Sequence, residues 1–452
     1  MNSIKITDKP LVHLSDLLAA VHAGELDAAL NTLGGAGGAA AQRTRIIKLA
    51  EEFSTRYGAD RQVALFTVAG RSELSGNHTD HNFGRVIAAS ISLDMLCIAS
   101  PREDGVIRLW SEGFGEDVVE IAAYNSPDTS KFGTSASLIA GVCQGFLKGG
   151  HAVGGFDACT QSDVLKGSGL SSSAAFEDMV GTVLSHLYNK GEVDEVSFSK
   201  ISQYAENQFF GKPCGLMDQV ACAVGGIVAI DFADPTSPVI EPLPFDMTAA
   251  GYHLCIVNTG GNHADLTDDY AAVPAEMKAV AAHFGKAVLR EVSEDQVIAA
   301  IPALRETVGD RAILRALHFL SENHRVTAQK EALLTAIAAT DALTRDAAVA
   351  KYFEGVLSSG RSSFCYLQNV YTTKNVTEQG LSLALCLCDG FFRTSCGGRG
   401  AYRVHGGGFA GTVQAYVPSE LVEDFTALMD GAFGEGATAD LRIRPVGAAR
   451  LY

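Results

Sequence analysis

The chain has 452 residues, 47% hydrophobic and 19% charged, with a formal net charge of −17. That length exceeds what one hydrophobic core usually organises, so the composition predicts a globular protein of two domains rather than a disordered or fibrous chain. The acidic balance argues against a surface that wraps nucleic acid, and no apolar run reaches membrane-spanning length.

The first ten residues are polar and of mixed charge, without the basic stretch and apolar core of a signal peptide. The ten cysteines are scattered with no CxxC pair, and the closely spaced Cys386 and Cys388 sit in an apolar run. These features predict reduced thiols and a cytoplasmic protein. Leu14, Leu17, Leu18 and Val21 share one side of a helix predicted over 11–30. Gly34 to Gly38 then break the chain as a flexible linker, since this glycine run follows a helix where a dinucleotide loop follows a strand. A second helix is predicted over 42–56. Short strands follow at 64–68, 86–98, 106–110 and 118–121, then a helix at 135–147. A strand at 157–163 leads through a glycine-serine loop into a helix over 172–189, where Phe176, Met179, Val180, Val183, Leu184 and Leu187 recur at helical spacing. A helix over 197–210 and a strand over 225–232 come next. Residues 233–244, rich in Pro, Asp and Ser, mark the expected domain boundary. Beyond them strands and helices alternate through Tyr416, with no repeat of fixed period. The predicted fold class is α/β (α+β), with residues 1–45 as a helical extension, 46–235 as a first domain and 236–452 as a second.

Four constellations carry chemistry. KGSGLSSSA at 166–174 lies between a strand and an amphipathic helix. Its small residues let backbone N–H groups turn inward, and the helix N-terminus adds partial positive charge, so Gly167, Ser168, Gly169, Leu170, Ser171 and Ser172 form a cradle for a di- or triphosphate. The hydroxyls of Ser171, Ser172 and Ser173 suit a helix cap, a phosphate oxygen or Mg²⁺. A plain serine cap would not need the two glycines and three serines found there. The loop is not of the GxxxxGK[ST] type. The second cluster gathers Arg71, Glu73, Asn77, His78, Asp80, His81 and Asn82 between two strands. Carboxylate, amide and imidazole groups fit a polyhydroxylated ligand. The same types also fit a metal site at His78, Asp80 and His81, or a solvated loop, and residue types alone do not choose. In the third, Glu206 and Asp218 flank a turn of Gly211, Lys212, Pro213, Cys214 and Gly215. Such acids serve a metal and a hydroxyl, or merely face solvent. The fourth is HGGGFAG at 405–411, which has GxGxxG spacing but precedes strand-like residues, so dinucleotide binding is rejected. Its glycines imply close backbone packing against a ligand or loop, or a tight turn.

In this order the segments resemble the galactokinase branch of the GHMP small-molecule kinases. GRSELSGNHTDHNFG at 70–84 is similar to the first family motif, GSGLSSSAAFE at 167–177 to the second and GGGFAG at 406–411 to the third. CGLMDQ at 214–219 resembles the catalytic aspartate segment, and RALHFLSENHRV at 315–326 a helix characteristic of galactokinases. The resemblance implies two α/β domains with the active site in the cleft between them, and ATP and Mg²⁺ as cofactors. It also implies a sugar acceptor phosphorylated at its anomeric hydroxyl. By the same resemblance Asp218 acts on the sugar hydroxyl, while Arg71 keeps it ionised and offsets phosphoryl charge. Ser173 and Glu206 would hold Mg²⁺, and Asn77, His78, Asp80, Gly215 and Tyr270 would face the sugar. Phosphoryl transfer needs mainly positioning and charge neutralisation. The chain departs from the family pattern at Asn77, where Glu is usual, and at Ser72, Glu73 and Ser75, where Val, Asn and Ile are usual. Leu165 replaces Pro, Asn262 a basic residue and Ala410 a Gly. The resulting expectation is a kinase for galactose or another galacto-configured sugar, such as L-arabinose or an amino sugar. If Asn77 faces a hydroxyl, Asn77→Glu should shift preference toward galactose. A sugar- and ATP-binding regulator is the alternative from another class. A metal-dependent hydrolase leaves the serine-glycine loop without a role. Oligomeric state is not legible.

Overall fold

The computed structural model describes residues 10–34, 38–123, 126–164, 170–212, 214–261 and 266–452. Leu165, Gly167, Ser168, Gly169 and Asn262 lie outside them. The strand expected at 64–68 is the beginning of a longer one, Gln62–Ser75, buried at every residue after Gln62. A strand covered on both faces needs no hydrophobic alternation. It therefore carries Arg71, Ser72, Glu73 and Ser75 inside, which is tolerable only if each finds a polar partner.

Gln62–Ser75 pairs antiparallel with Arg85–Arg102, which pairs in turn with Gly155–Ser162 and, near its start, with Ile227–Asp231. Val106–Ser111 and Gly115–Glu120 extend this nine-stranded sheet. Alternate residues of its central strands supply two cores, as strand geometry requires. Phe66, Val68, Cys97 and Ala99 pack with the helices Ser135–Lys148, Ser172–Tyr188 and Glu195–Ala205. Val63, Leu65, Leu96 and Ile98 pack on the other side with Leu14–Ala23, Asp27–Gly34 and Gly38–Tyr57. The extension predicted over 1–45 is thus, from residue 10 onward in its described part, a packed layer on the back of the sheet. The expected helix over 11–30 is split by Gly24, which takes a left-handed φ of 76°.

The second sheet has four antiparallel strands in the order Ala401–His405, Thr412–Pro418, Tyr252–Asn258, Thr438–Leu441. Gly380–Thr394 and Val422–Phe433 cover one face. On the other, the long helices Asp310–Ala338 and Ala342–Ser362 join a core that also contains Leu74, Ile87, Ala89 and Ile227 of the first sheet. The two halves therefore share apolar core.

The boundary expected at 233–244 is not a free linker. Val239–Leu243 pairs with Ile227–Asp231 in the first sheet, and Leu243 is buried. The chain end also returns, as Ala449–Arg450 pairs with Phe66–Thr67. No helix among the described residues is long and apolar enough to cross a membrane. All ten cysteines are free thiols.

Candidate active site

Arg71 sits where the pairing of Gln62–Ser75 with Arg85–Arg102 shifts register, an irregularity that re-aims a side chain. Its backbone N–H donates to the Leu170 carbonyl at 3.2 Å. Its guanidinium faces Asp218, in the first turn of Met217–Val224. Nε donates to Oδ1 at 2.8 Å and Nη2 to Oδ2 at 2.9 Å, the planar fork that arginine makes with a carboxylate. The Ser171 hydroxyl donates to Oδ2 at 2.5 Å. Ser171 itself is left-handed, φ 60° and ψ 57°, immediately before Ser172–Tyr188. A non-glycine residue in that region stores strain of the kind found at functional sites. Burial alone would raise the Asp218 pKa, but the charge of Arg71 and the hydrogen bonds from Arg71 and Ser171 hold it below the usual range. Asp218 is therefore an ionised carboxylate, and a side-chain exposure of 33% leaves it reachable.

The second acid, Glu206, begins a π-turn, Glu206–Phe210, at the end of Glu195–Ala205. Its carboxylate accepts from the Ser173 hydroxyl at 3.3 Å, Lys212 Nζ at 2.9 Å and Gln219 Nε2 at 3.0 Å. Gln219 also donates to Glu177 at 3.2 Å. Burial pushes the carboxyls of Glu177 and Asp178 well above their usual range, and the Glu206 charge adds to the effect at both. A serine hydroxyl beside an ionisable carboxylate is the hard-oxygen donor set that suits Mg²⁺.

Asp80 opens the turn Asp80–Asn82 and accepts the His81 N–H at 2.9 Å. Its other oxygen lies against Gly215 so closely that any Cβ there would overlap it. His78, left-handed at φ 58°, has Nε2 at 2.9 Å from the Gly407 carbonyl and so carries its proton there. Burial, with His81 second, lowers the His78 pKa to about 4. Tyr270 donates to the Gly408 carbonyl at 2.8 Å and packs edge-on against Phe409 at 5.4 Å. The first and third glycine-bearing segments and Tyr270 thus come together. The rival metal reading of His78, Asp80 and His81 finds no support in this geometry. His78 is engaged by Gly407, and among the described residues no group of three or more His, Cys, Asp or Glu side chains is placed to hold a metal ion.

Asn77 corrects an expectation. It is completely buried. Its Nδ2 donates to Glu73 at 3.2 Å and to the Gly406 carbonyl at 2.7 Å, while Oδ1 accepts from Ser363 at 3.2 Å and Asn369 at 2.9 Å. Both amide protons and both lone pairs are used by the protein, leaving none for a substrate.

Asn77 belongs to a polar seam that the sequence did not disclose. Glu73 pairs with Arg403, whose Nη1 donates to Ser359 at 3.0 Å. Glu322 accepts from Ser359 at 2.6 Å, Arg325 at 2.6 Å and the N–H groups of Gly76 and Asn77 at 3.3 and 3.4 Å. Ser72 lies 3.1 Å from His405 Nε2 and accepts from Gln414 at 2.8 Å, and Ser75 donates to Gln329. Each departure from the family pattern at Ser72, Glu73, Ser75 and Asn77 is met by a polar partner from the second half. The available signal was the stripe His318, Glu322, Arg325, Gln329, polar residues at helical spacing on a helix otherwise fit for a core.

Known proteins compare with this arrangement as follows. The architecture is that of a GHMP-type small-molecule kinase. The family model for the GHMP kinases N terminal domain matches residues 137–226, and that for the galactokinase galactose-binding signature matches residues 51–101. Galactokinase of Glaesserella parasuis serovar 5 is 30% identical over 386 residues, 84% of this chain and 91% of that protein. Galactokinase of Streptomyces coelicolor is 32% identical over 282 residues, 61% of this chain and 70% of the relative. The chain belongs to the galactokinase family. In the solved structures, Lactococcus lactis galactokinase complexed with galactose overlays with a TM-score of 0.72 at 23% identity, covering 88% of this chain and 98% of that one. A mevalonate kinase overlays at 0.57 and 14% identity, covering 84% and 98%. These overlays mark a shared fold.

Proposed function

We infer that the protein transfers the γ-phosphate of ATP to the anomeric hydroxyl of galactose or a closely related sugar, releasing ADP and a sugar 1-phosphate. The observation that carries this reading is the ionised, reachable Asp218 in the first turn of Met217–Val224, gripped by Arg71 and by Ser171, the residue immediately before Ser172–Tyr188. An ionised carboxylate offers about four lone-pair sites. Arg71 and Ser171 use three of them, and the remaining one accepts the sugar hydroxyl. Asp218 orients that hydroxyl and takes its proton as the oxygen attacks phosphorus. Arg71 opposes the charge that develops on the transferring group.

The N-terminus of Ser172–Tyr188 directs partial positive charge toward the phosphates. Ser173 and Glu206 would hold Mg²⁺, which when bound neutralises phosphate charge. In this reading His78, Asp80, Gly215 and Tyr270 line the sugar side, and Asn77 supports that wall from behind through Gly406. The pairing of two lobes around this site is the domain arrangement we assign, with the crossings noted above. Ten free thiols accord with a reducing, cytoplasmic setting.

Because Asn77 is turned inward, the choice among galactose, L-arabinose and amino sugars rests with the remaining wall. The test is ADP release from Mg²⁺ and ATP with galactose, L-arabinose, galactosamine, N-acetylgalactosamine and glucose presented singly. Turnover with a galacto-configured sugar, abolished by Asp218→Ala, is the expected result. ATP binding without turnover on any sugar would instead favour a regulator.

A further inference from the structure

The proposed mechanism gives no task to Lys212, yet its ammonium touches one acid of the site, Glu206, and its charge helps to lower the pKa of the other, Asp218. Its ammonium is 2.9 Å from Glu206 Oε1, the same oxygen that accepts the Ser173 hydroxyl at 3.3 Å. Glu206 is 3% exposed and its other oxygen is held by Gln219, whereas the Lys212 side chain is 61% exposed. The lysine therefore caps the outer side of a carboxylate that is otherwise enclosed.

Its backbone is fixed, and its exposed side chain is tied at the tip to Glu206. The Lys212 N–H donates to the Glu206 carbonyl at 3.1 Å. Gly211 before it is left-handed at φ 80°, and the ring of Phe132 fills the place where a Cβ would be. From this anchored turn extends a four-carbon stem with rotatable bonds, carrying a compact point charge. The ammonium lies on Oε1, the Glu206 oxygen that also accepts the Ser173 hydroxyl, so a divalent cation taking that oxygen would meet its repulsion.

We propose that Lys212 is a phosphate-binding residue of this kinase, neutralising Glu206 when no metal is present and pairing with the terminal phosphates of ATP once a divalent cation takes Ser173 and Glu206. The proposal rests on the kinase reading above. It follows that Lys212 competes with the metal for Glu206 and adds to the affinity for the nucleotide. An ammonium on a phosphate oxygen is a charge-assisted contact, and its loss is read as about a tenfold weaker complex.

The experiment uses the full chain, its Lys212→Met and Lys212→Arg variants, and two binding measurements. ATP affinity is taken by calorimetry in excess Mg²⁺ without sugar. Binding of Mn²⁺ alone is followed by the electron paramagnetic resonance signal of the free ion. Lys212→Met is expected to bind ATP about tenfold more weakly, with Lys212→Arg close to the parent protein, and to bind Mn²⁺ several-fold more tightly. ATP affinity in Lys212→Met within twofold of the parent overturns the proposal, and so does unchanged Mn²⁺ affinity. A parent protein that binds no ATP removes the kinase reading itself, a distinct outcome.

Discussion

Removing Glu73 should cost more stability than removing its partner Arg403, and removing both should cost less than the sum. The Glu73 and Arg403 side chains are 6% and 1% exposed. The next acid, Glu322, is 3.9 Å from Arg403 and already engaged by Arg325. Glu73→Leu therefore leaves a buried guanidinium without adequate compensation, a change that costs about 3–5 kcal/mol. Arg403→Met leaves a carboxyl that burial already pushes upward. Glu73 can respond by taking a proton, which an arginine cannot match by losing one, so that variant should lose only about 2–3 kcal/mol. In the double variant neither charge is stranded, and the coupling should reach about 2 kcal/mol, near the upper range for contacting residues. Urea unfolding followed by far-UV circular dichroism at pH 7.5 gives the four free energies. A Glu73→Leu cost of about 1 kcal/mol or less, or additivity within about 0.5 kcal/mol, would refute the reasoning.

Asn77→Glu places a second carboxylate where the amide now donates to Glu73, so it should destabilise by about 3 kcal/mol rather than retune sugar preference. Glu73→Asn with Asn77→Glu exchanges amide and carboxylate and should recover most of that loss, checked by thermal melting. Gly215→Ala drives a methyl into the Asp80 carboxylate. Its sugar KM should rise about tenfold, the loss of roughly one hydrogen bond to a charged group, with ATP affinity unchanged by calorimetry. His78 titrates at about 4 when folded against about 6.5 when unfolded. Between those values the unfolded chain binds more protons, so the neutral imidazole costs stability as pH falls through that window and nothing at pH 7.5 or above. The stability of the parent relative to His78→Gln should thus fall by on the order of 1–2 kcal/mol from pH 7 to pH 5. Urea midpoints that stay parallel for the two proteins would contradict this.

What the sequence determined by itself was local. The helix predicted over 172–189 is found as Ser172–Tyr188, because its apolar side chains recur at the helical period whatever the rest of the chain does. Glycines and serines bunched before a helix, and the segments around Arg71 and Asp218 that resemble family motifs, stood out for the same reason. Each pattern is complete within a short window. Tertiary structure alone decided the rest. The strand Gln62–Ser75 runs past the expected 64–68 because Arg403, Gln414 and Gln329 satisfy its polar residues from beyond position 320. Asn77 faces inward because Ser363 and Asn369, nearly three hundred residues away in sequence, complete its hydrogen bonds. Val239–Leu243 and Ala449–Arg450 join the first sheet because pairing depends on which strand edges meet in space. A buried polar group is tolerated only by its partners, and no period or motif around Glu73 or Asn77 names partners that far along the chain.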